Sequence, residues 1–390
     1  MRKRTMHKTL LLMGLLTVLA VAAGLLASSP CLADKLADAI AQTPKGAGPG
    51  QINPDAPAGF LGIPGSPNPF WFWGILWGVW VGWIFSTVGA FGGIMAGVGH
   101  ISVFGLANYG SSFHKTSPPM NKLITDSIRT CNQYLVGLSA LMSSITYYRL
   151  GRLVLPLGIA MAAGGITGAY LIPVLTAGKV TLTQYVGYFG IIVLVIGGFL
   201  FYDTTPMGQA KKKQAKAAAQ AFQESVKKGG GATQSTDAGV RVKSLGITRI
   251  DFTFYGVEFH FNPIWSIVGG FFIAALSAFL GVGGGFLYVP FCTNILNLPM
   301  HVVAGTSALA VFVSMITSIF TYMFVQGTPI DFFFIGAELV GIAVGSIIGP
   351  ITSKYIPDIW LKRLFVFLAV YVGVGYVTKG FMGHSIFPGM

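Results

Sequence analysis

The sequence predicts an all-α, polytopic transmembrane helical bundle of two inverted repeats with glycine-broken helices. Three observations predict it. Of 390 residues, 53% are hydrophobic and 9% charged, with a mean hydropathy of +0.69, whereas soluble domains carry roughly a quarter charged residues. Such a chain lacks the polar surface to cover a water-soluble globule and holds too much apolar material for disorder. Apolar segments near the length of about 20 residues that a bilayer requires recur along the chain. A glycine-rich motif also appears once in each half, as GAFGGIM at 89–95 and GVGGGFL at 281–287.

Residues 1–33 carry a basic start (Arg2, Lys3, Arg4, Lys8), an apolar stretch from Leu10 to Ala27 and small residues before Asp34. They read either as a cleaved signal peptide or as an uncleaved signal anchor. Residues 34–69, rich in Pro, Gly and Ala, read as an extracytoplasmic linker. Repeat one follows at 70–203, with apolar segments at 71–88, 90–108, 124–147, 153–175 and 184–202. Repeat two occupies 263–390, with segments at 263–280, 285–297, 303–325, 331–353 and 360–380. The second segment of each repeat is short or glycine-bounded, as a half-helix or re-entrant arm would be. Between the repeats, residues 204–262 form the one substantial hydrophilic region, a basic loop of net charge +5. A short helix is expected from Lys211 to Gln223, broken by Gly229, Gly230 and Gly231. The alternation of Phe252, Phe254, Phe259 and Phe261 suggests an interfacial strand or hairpin.

Five segments per repeat is an odd number, so the second repeat should lie upside down relative to the first. Loop charges agree under the positive-inside rule. Arg149 and Arg152 fall in a loop expected inside, while its counterpart at 326–331 has no basic residue. Lys354, Lys362 and Arg363 fall inside, and the matching loop of repeat one has only Lys179. Residues 109–123, with Lys115 and Lys122, dissent mildly by being expected outside. The basic 204–262 loop is thus expected in the cytoplasm and the C-terminus outside, in a multi-pass inner (plasma) membrane protein. The net charge of +13 reads as topology signalling and contact with anionic lipid, not as nucleic-acid binding. Cys31, Cys131 and Cys292 lie far apart with no CxxC pair, which argues against a disulfide framework or metal cluster.

Inverted repeats characterise secondary transporters, whose sites lie near the membrane midplane at the repeat interface. GVGGGFLYVP at 281–290, LNLPMHVVAGTSALA at 296–310 and TYYRLGRLVLPLGIAMAAGGITGAYL at 146–171 resemble the sulfite exporter TauE/SafE family of membrane transporters, also called the toluene sulfonate uptake permease family. The resemblance spans about 70–390 apart from most of the 204–262 loop. Repeat one departs from the motif where Phe91 replaces a glycine and where Gly-Thr-Ser reads Thr125-Asp126-Ser127. The resemblance implies a permease for sulfite, thiosulfate, a sulfonate or another small sulfur-containing or organic anion.

Candidate site residues follow from the same motifs. Gly281, Gly283, Gly284 and Gly285, with Gly89, Gly92 and Gly93 in repeat one, let a helix break at membrane depth. The N–H groups freed there suit an anion. Alternatively, these glycines only allow close helix packing. Thr306 and Ser307, with Thr125 and Ser127, offer hydroxyls to an oxyanion or, alternatively, to the preceding turn's carbonyl. Asp126 and Arg129 share a helix face at i, i+3 and form either an anion-handling pair or a self-satisfied ion pair. Glu338, deep in an apolar span, is the proton-coupling candidate. His100, His114 and His301 show no metal-site spacing and read as inert, and the Trp71–Trp83 cluster reads as a membrane-interface belt. Phe286 stands where a GxGxxG nucleotide motif needs glycine, and no cofactor is expected. The expected partners are a small anion and the lipid bilayer, with a homo-oligomer allowed. An intramembrane enzyme is disfavoured by the absence of HExxH and GxSxG. The other rival is a non-transporting membrane scaffold or assembly partner that docks through the basic loop.

Overall fold

In the computed structural model, which describes residues 30–89, 92–176, 182–211, 213–227, 239–280, 285–383 and 385–387, the chain is mostly helical. The signal peptide or anchor expected at 1–33 lies, through residue 29, outside the described residues. Helix α1 (Pro30–Gln42) opens the described chain. Residues 43–70 then fold back on themselves and bury Phe60 and Ile63. Ile52 is buried with them, so the segment read as a linker is anchored by apolar side chains that follow no period.

The expected apolar segments appear in order. Helix α2 (Trp71–Ile84) runs on through a π-helical turn at Phe85–Gly89, and α3 (Gly92–Val98) through another at Gly99–Val103. A short α4 (Leu106–Ser112) lies in the region expected to be loop. Then come α5 (Pro118–Arg149), α6 (Leu155–Thr176) and α7 (Leu182–Thr204). Pro118 and Pro119 fit the first turn of α5, where no N–H partner is lost, and start that helix six residues ahead of the apolar pattern. After α8 (Pro206–Lys211) and α9 (Lys213–Lys227), the second half supplies α10 (Pro263–Leu280) and α11 (Gly285–Pro290), the latter with a π-helical turn at Phe291–Ile295. Helices α12 (Met300–Phe320), α13 (Phe332–Ser353) and α14 (Asp358–Met382) complete it. Among the described residues, five helical stretches are long and apolar enough to cross a bilayer.

The chain is not all-α. Strands β1 (Val240–Leu245), β2 (Ile250–Phe254) and β3 (Val257–Phe261) form an antiparallel sheet inside the basic loop. Alternation places Ile250, Phe252, Phe254, Phe259 and Phe261 on its buried side, with Phe252 stacked on Phe259. Asp251 accepts from Ser244 (2.7 Å) and Arg249 (2.8 Å), which hold its carboxyl below the ordinary range.

The major helices pair across the halves. Helix α2 packs on α13 and α10 on α6, while α5 meets α12 and α7 meets α14. Glycine makes two of these interfaces close. A Cβ on Gly78, Gly341 or Gly345 would strike a carbonyl of the facing helix in the α2–α13 pair, and one on Gly164 or Gly270 would do so between α6 and α10.

Contacts define two ends of the bundle. At one, which we call the linker end, Lys35 donates to the Gln326 carbonyl (3.0 Å), Leu61 N–H to Asp331 (2.7 Å) and Thr43 to Ser117 (2.9 Å). At the other, the loop end, Val240 N–H donates to the Gly151 carbonyl (2.8 Å) and Met300 N–H to Asp358 (2.6 Å). Helix α5 therefore starts at the linker end and finishes at the loop end, whereas α12 runs the other way.

Candidate functional site

The two short glycine-opened helices, α3 and α11, touch each other. Gly89 closes the turn after α2, Gly92 and Gly93 open α3, and Gly285 opens α11, while Gly281, Gly283 and Gly284 lie outside the described residues. Gly92 is pressed against α2, where a Cβ would meet Phe85 and the Val81 carbonyl. The Asn132 amide on α5 donates to the Gly93 carbonyl (3.4 Å). Midway along the bundle, Ser139 of α5 and Ser346 of α13 are hydrogen-bonded at 2.7 Å.

The hydroxyl candidates are all buried. Thr306 donates to the Val302 carbonyl (2.9 Å) and accepts from Val154 N–H (3.0 Å), so it ties the start of α12 to the start of α6. Ser307 donates to the Ala304 carbonyl at 3.4 Å. Thr125 and Ser127 lie inside the bundle on α5. Asp126 meets Arg129 at 3.4 Å as the spacing predicts, and it also accepts from Lys122 at 2.7 Å. Asp126 and Lys122 line a cavity of about 260 Å³ at the linker end together with Lys35, Asp38 and Thr328.

Two histidines that look inert in the sequence are not bystanders. His100, at the end of the α3 arm, places Nε2 2.8 Å from Glu338 Oε2 of α13, with both side chains buried. Glu338 lines a cavity of about 330 Å³ with Asp331, Asn68, Phe60 and Phe334. Nothing in the linear pattern joins residues 238 positions apart. At the loop end, Arg152 is the missed residue. Its guanidinium donates to the carbonyls of His301 (3.1 Å) and Pro350 (3.3 Å), meets His301 Nδ1 at 3.2 Å and donates to Ser353 at 3.4 Å. It lies over the rings of Tyr147 (4.7 Å) and Phe222 (5.0 Å). Burial lowers its pKa from the ordinary value, and among the described residues no carboxylate pairs with it. Tyr147 extends the cluster by donating to the Ser86 carbonyl at 2.5 Å.

The Trp belt is divided. Trp71, Trp73 and Trp80 are exposed on the outside of α2, whereas Trp83 turns in and donates to Thr352 at 3.0 Å. Cys131 and Cys292 are both free and buried.

Long apolar helices, apolar outer faces and polar side chains gathered between the helices define a multi-pass membrane protein. The sulfite exporter TauE/SafE family model matches residues 74–376, and the chain belongs to that family of membrane transporters. No curated protein and no solved structure matches the chain significantly.

Proposed function

We propose that the protein is a secondary transporter for a small sulfur-containing or organic anion, such as sulfite or a sulfonate, working by alternating access between two inverted repeats. The observation that carries this reading is the reciprocal pairing of α2 with α13 and α10 with α6, while α5 meets α12 and α7 meets α14. A pseudo-twofold axis in the membrane plane exchanges the members of each such set. The opposite directions of α5 and α12 are what an inversion requires.

In this reading the α3 and α11 arms face each other at the centre, and their glycine-bounded starts offer free N–H groups to the anion. Candidate substrate contacts are Gly89, Gly92, Gly93, Thr125, Asp126, Ser127 and Arg129 in repeat one. In repeat two they are Gly281, Gly283, Gly284, Gly285, Thr306 and Ser307. The internal bonds of Thr306 support a positioning role for that residue. Glu338 is the proton-coupling group. The grouping of residues 149–154, 239–262 and 354–358 at one end of the bundle supports a cytoplasmic loop end and an extracytoplasmic linker end, with the C-terminus outside.

The test is counterflow of labelled sulfite and of labelled methanesulfonate in proteoliposomes. The expected result is saturable exchange of at least one anion. Folded protein that exchanges neither at any concentration overturns the proposal.

A further inference from the structure

We propose that His100 and Glu338 form one shared proton site, opening to the cavity at the linker end, whose loading drives the transport cycle. The inference rests on the transporter reading above and deepens it by naming the partner that makes Glu338 a working proton carrier.

The couple shares a hydrogen bond, Nε2 to Oε2 at 2.8 Å, and its outer atoms, His100 Nδ1 and Glu338 Oε1, have no partner among the described residues. Leaving a buried polar atom without a hydrogen bond is costly, so both atoms stand to gain from a proton or a water. Glu338 borders the cavity of about 330 Å³, ample room for the water that would carry a proton to it. Among the described residues, no lysine or arginine is bonded to either member of the couple. A buried carboxylate without a fixed cation is compensated by a mobile one.

The surroundings favour a proton over a metal. Among the described residues no three His, Cys, Asp or Glu side chains gather to hold a metal ion. Asp331, the other acid on α13, is already occupied, since it accepts from Leu61 N–H (2.7 Å) and Phe334 N–H (2.8 Å). Helix α5 brings Cys131, a buried free thiol, and Tyr134, which donates to Met323 Sδ. Helix α2 and residues 59–70 contribute no ionisable side chain. Gly59, Phe60, Asn68, Pro69 and Phe70 line the cavity, and Leu61, at a left-handed φ of 58°, donates its N–H to the Asp331 carboxylate.

The couple also spans the halves, with His100 in the first and Glu338 in the second. Adding a proton changes the hydrogen bond by which His100, in the turn that follows α3, is joined to α13, and so biases their relative position. That is the differential interaction a coupled carrier needs.

Two measurements on the full chain in phosphatidylethanolamine/phosphatidylglycerol vesicles separate this inference from the transporter reading. Infrared difference spectra across a pH titration should contain a carboxylic-acid band that E338Q removes and whose midpoint H100Q shifts by about one pH unit or more. Uptake of labelled methanesulfonate driven by a pH gradient should fall at least about tenfold in E338Q, while counterflow of the same anion persists. A band untouched by both substitutions overturns the proton site, as does unaltered gradient-driven uptake in E338Q. If wild-type protein gives neither counterflow nor uptake, the transporter reading fails and the drive assigned to this couple fails with it. The infrared band then reports only on whether the proton site itself exists.

Discussion

Arg152 illustrates how a single side chain can matter without being conspicuous in the sequence. In the linear chain it is a topology charge in a short loop. In the fold it is a buried guanidinium that satisfies carbonyls on two separate helices and packs beneath two aromatic rings. Replacing it by Gln strands those carbonyls, and Arg152→Gln should cost roughly 2–4 kcal/mol. Arg152→Lys should recover only part, because an ammonium cannot reproduce the planar fork. Thermal unfolding of detergent-purified protein measures both. Ser139 and Ser346 make a gentler case. A double-mutant cycle to Ala should give a coupling near 0.6 kcal/mol, typical of interhelical hydrogen bonds in membranes. Asp126–Arg129 was legible because helical spacing alone brings i and i+3 together. His100–Glu338 and Arg152–His301 were not, because their partners come from the other half of the chain.

Among the elements, the long helices followed directly from apolar run length, and their bounds shifted mainly where proline extended α5. The shortness of α3 and α11 fits the short second segment of each half, and Pro290 lies within the last turn of α11 without ending it. The sheet was half visible in its alternating phenylalanines. Residues 43–70 were opaque, because they are pinned by distant partners such as Asp331 instead of by any period of their own. Glycines inside continuous helices also make tight interhelical contacts, among them Gly164, Gly270, Gly341 and Gly345. Gly341→Val and Gly164→Val should each cost at least about 3 kcal/mol, since the obstacle is backbone and cannot rotate away. Gly336→Ala, with open space at its Cβ, should be neutral. Expression and melting temperature of the three variants compare them directly.

Across the whole molecule, the loop containing Gly151 and the one containing Thr328 lie at opposite ends of α13, near Ser353 and Asp331 respectively. Single cysteines at 151 and 328, introduced into a cysteine-free background, should therefore react with an impermeant maleimide from opposite sides of the membrane. Labelling of both from one side would refute the proposed inversion. Internal similarity of the two motifs does not say which helices embrace. That depends on side-chain size along both members of a pair, which one strand of text does not display.

Because every principal helix pair joins one half to the other, the nascent chain cannot complete any of them while only its first half has left the ribosome. Helix α2 waits for α13, and Lys35 waits for Gln326, 291 residues downstream. Until then the early helices must dwell in lipid with their glycine grooves unfilled, a prolonged exposure that invites quality-control proteases and insertion chaperones. A chain truncated after residue 262 should accordingly be inserted yet cleared quickly in pulse-chase experiments, and supplying residues 263–390 as a separate polypeptide should prolong its lifetime.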